Sequence, residues 1–385
     1  MRCPAAELSI EIGRARAQTD ALFALLDPAA LYDRPVPERH RLIFYLGHVE
    51  AFDWNLLSQH ALSKSPFHPS FDKLFAFGID PEPGRAPADL PSDWPREDEV
   101  RNYAARVRSE LDGSLDRVPE QLLHVALEHR LMHAETLAYL IHNLPFDKKR
   151  GPAPAAGATA PVENSFVEIP AGAATLGRPR ENGFGWDNEF ERHAVKVPAF
   201  RMSRYKITNG EYLGYVRAGA PAPHFWTRRG DEFFLRAMFG EIPLPLDWPV
   251  WVTHAEAYGY AQFRGAELPT EEQFHRASAG AAPVNAAFEN WDPVSVRAGR
   301  PSDYGVYQLI GNGWEWTSTV FAPFPGFQAF PFYPGYSADF FDGRHFVMKG
   351  ASPRTAACFL RSSFRNWFRP DYPYVYAGFR LVENR

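Results

Sequence analysis

Cysteine is scarce in this sequence, which also lacks long apolar runs and blocks of basic residues. The 385 residues include two cysteines, Cys3 and Cys358, and a single distant pair does not make a disulfide framework. No stretch approaches the ~20 consecutive apolar residues of a membrane span. The first residues also lack the apolar core of a signal peptide. We therefore expect a cytoplasmic protein that does not enter a membrane.

The charge balance argues against a nucleic-acid partner. The chain has 41 Lys and Arg against 46 Asp and Glu, a net charge of -5, and its basic residues are dispersed. Proteins that bind nucleic acids usually present a strongly basic face. The composition, with 45% hydrophobic and 23% charged residues, is instead typical of a globular protein. The length is sufficient for two domains.

Residues 1–150 carry apolar side chains at the spacing expected of helices. Four such segments follow one another, with a long Pro-rich connection between the second and the third. Apolar residues that recur every three or four positions form one face of a helix, and four helices can bury such faces in a bundle. We therefore predict a four-helix bundle over residues 1–150, whose last helix ends before Pro145.

Residues 165–385 have a different character. They follow a linker, 151–164, that is rich in small residues and proline, and they contain most of the aromatic residues of the chain. Short strand-like segments alternate with long loops. Two segments, 254–265 and 270–278, are predicted to be helices, the second with Thr270 as its cap. These features predict an α+β domain with much irregular structure.

Three histidines of the first half are candidate metal ligands. His129 and His133 are four residues apart, which places both imidazoles on one face of a helix. His48 lies in another helical segment, and neighbouring helices of a bundle can bring such a residue to the same point. His124 and His142 are competing candidates, and packing alone also explains such a pair. Three imidazoles would leave coordination positions open for catalysis, but ligand type does not distinguish zinc from iron.

The surroundings of these histidines and several C-terminal motifs together resemble the ergothioneine sulfoxide synthases and their relatives, the selenoneine synthases. The resemblance extends from about residue 10 to residue 383. It implies an α+β chain, with an N-terminal DinB-like four-helix bundle followed by a C-type-lectin-like, formylglycine-generating-enzyme-like domain. The motifs that carry the resemblance are LGH (46–48), HRLMHAE (129–135), TNGEY (208–212), RGAELPTEEQF (264–274), GNGWEWT (311–317), SFRNWFRP (363–370) and AGFRLV (377–382).

This resemblance implies a function and roles for particular residues. His48, His129 and His133 would hold a non-haem iron(II) ion, and O2 would be used to join C2 of the imidazole ring of hercynine to sulfur or selenium. Asn366 and Trp367 match the residues that contact the trimethylammonium group of hercynine. Aromatic faces suit such a group, because a quaternary ammonium cannot donate hydrogen bonds.

The positions that contact the second substrate depart from the family pattern. Sulfoxide synthases that use γ-glutamylcysteine carry an arginine pair where this chain has Arg85 and Trp94, and an aspartate where it has Phe368. Met132 replaces a glutamine that is frequent in the family. Charge-assisted pairs contribute much to the recognition of carboxylates. We therefore predict a neutral selenosugar as donor, with a low-molecular-weight thiol, cysteine or γ-glutamylcysteine, as the alternative.

The loop 321–341 is rich in aromatic residues and is a candidate for the catalytic tyrosine that donates a proton in some sulfoxide synthases. Tyr333 and Tyr336 lie there, while Tyr45 and Tyr139 on the histidine-bearing helices are alternatives. The loop either offers a platform for a sugar or packs on the core. Two other classes of function stay open, namely a DinB-type thiol transferase with zinc or nickel and a non-catalytic lectin-like binding module.

Overall fold

The chain divides into two compact units, Met1–Pro152 and Ala153–Arg385. The computed structural model describes residues 5–78, 87–157 and 160–384. The boundary lies inside the segment 151–164, which is predicted to be a linker. Within the described residues, every helix is too short or too polar to cross a lipid bilayer.

The first unit is helical, and its helix α2 is the central one. Helix α2 packs against α3, α4 and α5, and α1 packs against α5. Because α2 has neighbours on most sides, its polar residues His48, Glu50 and Asp53 are buried along with its apolar ones. The helices of this unit are α1 (Ala5–Phe23), α2 (Leu42–Leu57), α3 (Pro69–Phe77), α4 (Glu97–Asp112) and α5 (Glu120–Asn143).

Helix α3 was not predicted, because it lies in the Pro-rich connection between the second and third helical segments. Pro69 occupies its first turn, where the missing N–H of proline is tolerated. Gly78 follows its last residue with a φ of +77°, a conformation that favours glycine at the end of a helix. Both residues are ordinary signals of a helix start and stop, but they enclose only nine residues.

The second unit consists of four small sheets and three short helices in its described residues. The sheets have the strand orders β1-β4-β12, β2-β3, β5-β6-β7 and β10-β9-β8-β11. Apart from the parallel pair β8 and β11, the strands pair antiparallel. The strands are β1 (Phe166–Ile169), β2 (Gly172–Leu176), β3 (His193–Val197), β4 (Phe200–Ser203), β5 (Trp226–Arg229), β6 (Glu232–Ala237), β7 (Gly240–Pro243), β8 (Gly313–Val320), β9 (Phe346–Ala351), β10 (Asn366–Phe368), β11 (Ala377–Gly378) and β12 (Val382–Asn384).

The helices of the second unit all begin at a threonine that caps them. They are α6 (Asn209–Arg217), α7 (His254–Phe263) and α8 (Glu271–Ala277). The hydroxyl groups of Thr208, Thr253 and Thr270 each accept a hydrogen bond from the N–H three residues later. The predicted cap at Thr270 is therefore confirmed. The prediction of only two helices in this half was wrong, because α6 begins inside the TNGEY motif and spans nine residues.

Candidate metal centre and substrate-contacting residues

The structure brings His48, His129 and His133 together. One ring nitrogen from each lies within 4.8 Å of the others, and the Nε2 atoms of His48 and His133 are 3.1 Å apart. Two nitrogens that bind one metal ion at about 2.1 Å and at right angles to each other would lie about 3 Å apart. His48 comes from α2, whereas the other two lie one turn apart on α5. The geometry therefore fits a single ion with three imidazole ligands.

Aromatic rings and a backbone oxygen hold two of these histidines in place. The ring of Phe52 stacks on His129 with centroids 3.4 Å apart, and the ring of Phe44 stacks on His48 at 4.7 Å. Nδ1 of His48 lies 2.6 Å from the carbonyl oxygen of Phe75. Because a carbonyl oxygen only accepts, this Nδ1 carries the proton and leaves Nε2 for the metal.

The three imidazoles are neutral at physiological pH. Burial lowers the pKa of His48 to about 4. Burial and the neighbouring histidines also lower the pKa of His129 and His133 well below the usual range. A metal-binding imidazole must be unprotonated, so the site is already in the protonation state that binds a cation.

A buried ion cluster includes Glu50 and Asp53 of α2, two and five residues after His48. Arg130 donates to both carboxylate oxygens of Glu50 at 2.8 Å and to Asp53 at 2.6 Å. Arg108 also donates to Glu50. These arginines lower the pKa of Glu50 to about 2, against the opposing effect of burial. The carboxylates of Glu50 and Asp53 are thus already engaged, and the group with ligand spacing among the described residues is the three histidines.

Asn366 and Trp367 lie on strand β10, in the second unit. The Trp367 ring stacks on Phe321 with centroids 4.2 Å apart and an interplanar angle of 7°. Tyr336 and Phe340 lie near the same indole, at 5.5 and 5.6 Å. Trp367 is only half-buried, so part of an aromatic cluster faces outward from the strand. This setting is compatible with an ammonium ligand, and the assignment stays a prediction.

The side chains expected near the second substrate are placed as follows. Phe368 is half-buried and stacks on Tyr372 with centroids 5.1 Å apart. Met132 is half-buried on α5, next to His133. Trp94 is buried, and its Nε1 donates to the carboxylate of Asp89 at 2.7 Å. Arg85 lies outside the described residues.

Tyr333 and Tyr336 occupy an aromatic cluster with Trp186. Tyr336 is buried and stacks on Trp186 with centroids 3.8 Å apart. Tyr333 is half-buried, and burial raises its pKa to about 12 with a contribution from the nearby Asp187. The loop is also anchored at Ser337, whose hydroxyl donates to Asp187. Much of the aromatic loop therefore packs on the core, and the catalytic role of either tyrosine stays a prediction.

The residues that support the histidines were not predicted from the sequence. Phe44 and Phe52 lie four residues before and four residues after His48, a spacing that places them on the same helix face. That signal was available. The Phe75 oxygen was not detectable, because any residue type provides a backbone carbonyl.

Comparison with known proteins shows which family this chain belongs to. Residues 153–385 match the family profile described as "Sulfatase-modifying factor enzyme 1-like domain", so the second unit is a domain of that class. The chain is 31% identical to hercynine oxygenase of Mycolicibacterium smegmatis, over 97% of this chain and 98% of that protein. The chain therefore belongs to the hercynine oxygenase family, the family of the ergothioneine sulfoxide synthases.

Two fungal relatives are longer. The chain is 27% identical to "Ergothioneine biosynthesis protein 1" of Neurospora crassa and 29% identical to the protein of that name from Schizosaccharomyces pombe, over 94% of this chain in both cases. The matches cover 56% and 54% of the fungal proteins. The chain thus spans about half the length of these curated relatives.

Proposed function

We propose that this chain is an iron(II)- and O2-dependent enzyme that joins a selenium or sulfur donor to C2 of the imidazole ring of hercynine. The observation that carries the proposal is the cluster of His48, His129 and His133 in a chain that matches a hercynine oxygenase over nearly its whole length. Iron(II) held by three imidazoles keeps coordination positions open and would supply the oxidising power that the unreactive C2 requires.

The proposed overall reaction balances with one molecule of O2. Two electrons come from replacing the C2–H and chalcogen–H bonds by a carbon–chalcogen bond, and two more come from oxidising the chalcogen. One oxygen atom ends on the chalcogen and the other leaves as water. Tyr333 and Tyr336 are our candidates for the proton donor, because both lie in the aromatic loop 321–341.

The charges around the expected donor positions support a neutral donor. Arg34 and Arg41 both donate to the carboxylate of Asp89, which also accepts a hydrogen bond from Trp94. These two arginines are therefore already engaged by a carboxylate of the chain itself. Phe368, where relatives that use γ-glutamylcysteine carry an aspartate, packs on Tyr372. We therefore propose a selenosugar as the donor. Cysteine and γ-glutamylcysteine are the alternatives, since the two fungal relatives are named as proteins of ergothioneine biosynthesis.

The test is an adduct assay with the iron-loaded protein. Hercynine and one donor at a time (a selenosugar, cysteine or γ-glutamylcysteine) are incubated in air and under argon, and the products are identified by mass. We expect an adduct in air with the selenosugar and none under argon. Formation of the sulfur adduct instead would correct the donor, and no adduct with any donor would refute the function. A product that forms equally well under argon would favour a thiol transferase.

A matched pair of histidine variants links this activity to the proposed metal centre. His129→Ala removes one ligand and is expected to abolish both metal binding and adduct formation. His124 lies on the same helix but makes its contact with Glu120 at 3.7 Å, so His124→Ala is expected to retain both. If His129→Ala kept its activity, the cluster would not be the metal centre.

A further inference from the structure

Helix α3 delivers a backbone oxygen to one of the three histidines. The carbonyl oxygen of Phe75 lies 2.6 Å from Nδ1 of His48, and Phe75 is in the last turn of α3. The last four carbonyls of a helix lack partners within it and carry the negative end of the helix dipole. This oxygen is therefore a strong acceptor for the His48 N–H.

The approach of Phe75 to α2 depends on a glycine. A Cβ atom at Gly47 would lie between 2.4 and 2.6 Å from atoms of the Phe75 ring, a separation that forces one of them to move. The Phe75 ring cannot simply swing into solvent, since the residue is fully buried. Glycine within a helix costs about 1 kcal/mol relative to alanine, so its presence beside His48 requires a compensating contact.

The end of α3 has a second close contact, with His40, two residues before the start of α2. Gly78 has a φ of +77°, and a Cβ there would lie 2.3 Å from the His40 ring. Its N–H donates to the carbonyl of Leu74 at 2.7 Å, which closes the last turn of α3. The last turn of α3, which contains Phe75, thus has two close contacts. One is between the Phe75 ring and Gly47, and the other is between Gly78 and the His40 ring.

The other two histidines are supported differently. Nδ1 of His133 is buried, and it has no hydrogen-bond partner among the described residues. His129 is held by ring stacking on Phe52. The orientation of His48, by contrast, is fixed by the directional hydrogen bond that its Nδ1–H donates to the Phe75 carbonyl of α3, so the arrangement of the three histidines depends on where α3 lies.

We propose that Gly47 and Phe75 are positioning residues for the metal centre. The missing side chain at Gly47 lets α3 approach α2, and the Phe75 oxygen then fixes the ring orientation and tautomer of His48 so that Nε2 faces the metal. Groups that bond to the far nitrogen of a ligating histidine typically change metal affinity or activity by about 10- to 100-fold. The inference rests on the proposed metal centre.

The test is a titration of metal-free protein with cobalt(II), whose visible absorption reports the coordination of the ion. Gly47→Ala is expected to weaken cobalt binding by about 10- to 100-fold and to alter the absorption band. Gly13→Ala is the matched control, because Gly13 is also inside a helix but a Cβ there meets nothing within 4 Å. It should bind cobalt like the unaltered chain.

A second pair of variants keeps the test decisive if Gly47→Ala does not fold. Phe75→Ala keeps the carbonyl but removes Cγ and the ring atoms beyond it, which the new methyl group would meet. Adding Gly47→Ala to Phe75→Ala is then expected to change cobalt affinity by less than about threefold. A loss of about tenfold or more in that background, or a folded Gly47→Ala chain with unchanged affinity and absorption, would overturn the inference.

The outcome also separates this inference from the proposed function. If the unaltered chain does not bind cobalt at His48, His129 and His133, as judged with His129→Ala, both the centre and the inference fail. If the unaltered chain binds cobalt and Gly47→Ala binds it equally well, only the role of Gly47 and Phe75 fails. Adduct formation is not needed for either conclusion.

Discussion

The helical unit buries Arg130 completely, the second unit buries Arg365 and Arg380, and the partners of Arg130 and Arg380 differ. Arg130, in the helical unit, directs three of its four hydrogen bonds to the carboxylates of Glu50 and Asp53. Arg380, in the second unit, bonds to both carboxylate oxygens of Glu315. It also donates to three backbone carbonyls, those of Ser203, Arg204 and Tyr307.

The difference follows from the backbone around each arginine. Inside a long helix, the carbonyl groups already pair with N–H groups four residues on, so a buried cation there meets side chains. In the second unit, short strands and loops leave buried carbonyls that need donors. Lys349 is a further example, because it donates to the carbonyls of Ser362 and Phe364. Buried cations in this unit thus stabilise irregular backbone.

The largest expected effect is on stability when either arginine is removed. Arg380→Met would leave three carbonyls without this donor and Glu315 with Lys206 alone, so we expect a loss of about 4–5 kcal/mol. Arg130→Met leaves Glu50 still paired with Arg108, and we expect a loss of about 3 kcal/mol. Urea unfolding measures both losses.

Two spectroscopic probes separate the units in this experiment. Eight of the ten tryptophans lie in the second unit, so fluorescence follows that unit, whereas helical circular dichroism mainly follows the first. Arg101→Met is the control, because Arg101 is exposed and pairs with Glu97 on the surface of α4. It should change stability by less than about 0.5 kcal/mol. Equal losses for Arg380→Met and Arg130→Met would contradict the comparison.

A second difference between the units is their response to alkaline pH. Burial lowers the pKa of Lys206 from 10.5 to about 8. Between these values the unfolded chain binds a proton that the folded chain does not, so stability rises with pH. From this lysine alone we expect a gain of about 3 kcal/mol between pH 8 and pH 10.5. Arg130 has a raised pKa and should remain charged throughout.

The contribution of Lys206 to the pH dependence of stability is measured as the difference between two chains. Urea midpoints followed by fluorescence are compared for the unaltered chain and Lys206→Met, which cannot lose a proton. We expect the difference between the two chains to depend on pH in this range. Lys196→Met, at an exposed position of β3, should leave the rise intact. A rise of the same size in Lys206→Met would assign it to other groups.

The sequence predicted the first unit better than the second. The long helices α2 and α5 repeat their apolar pattern over several turns, and the pair His129 and His133 follows directly from helix geometry. The inclusion of His48 depended on the family resemblance, since its ring meets the others only through helix packing. The supporting oxygen of Phe75 belongs to a nine-residue helix in a Pro-rich segment, and its contact with His48 could not be predicted from residue types.

In the second unit, the alternation of short strands and long loops was predictable, but the pairing of the strands was not. Strand β12 pairs with β4, about 180 residues earlier in the chain, and no local pattern specifies such a partner. The placement of Asn366 and Trp367 on an edge strand beside Phe321 has the same origin. Local signals worked where the interaction is itself local, as with the cap at Thr270.

The smallest expected effect concerns how the helices of the two units begin. Helices α2 and α5 start without a side-chain hydrogen bond at the cap, because packing along many turns stabilises them. The short helix α7 begins instead with Thr253, whose hydroxyl accepts from the N–H of Glu256 at 3.1 Å, while the Glu256 carboxylate accepts from the N–H of Thr253. Thr253→Ala is expected to reduce the stability of the second unit by about 1 kcal/mol.

The matched control makes the same substitution inside a long helix. The hydroxyl of Thr136 on α5 donates to the carbonyl of Met132 at 3.2 Å, a bond that competes with the helix rather than starting it. Thr136→Ala is therefore expected to change the helical transition by less than about 0.5 kcal/mol. Equal losses of stability for the two variants in urea unfolding would contradict this prediction. The cap of α7 would then contribute no more to stability than an interior hydroxyl group of α5.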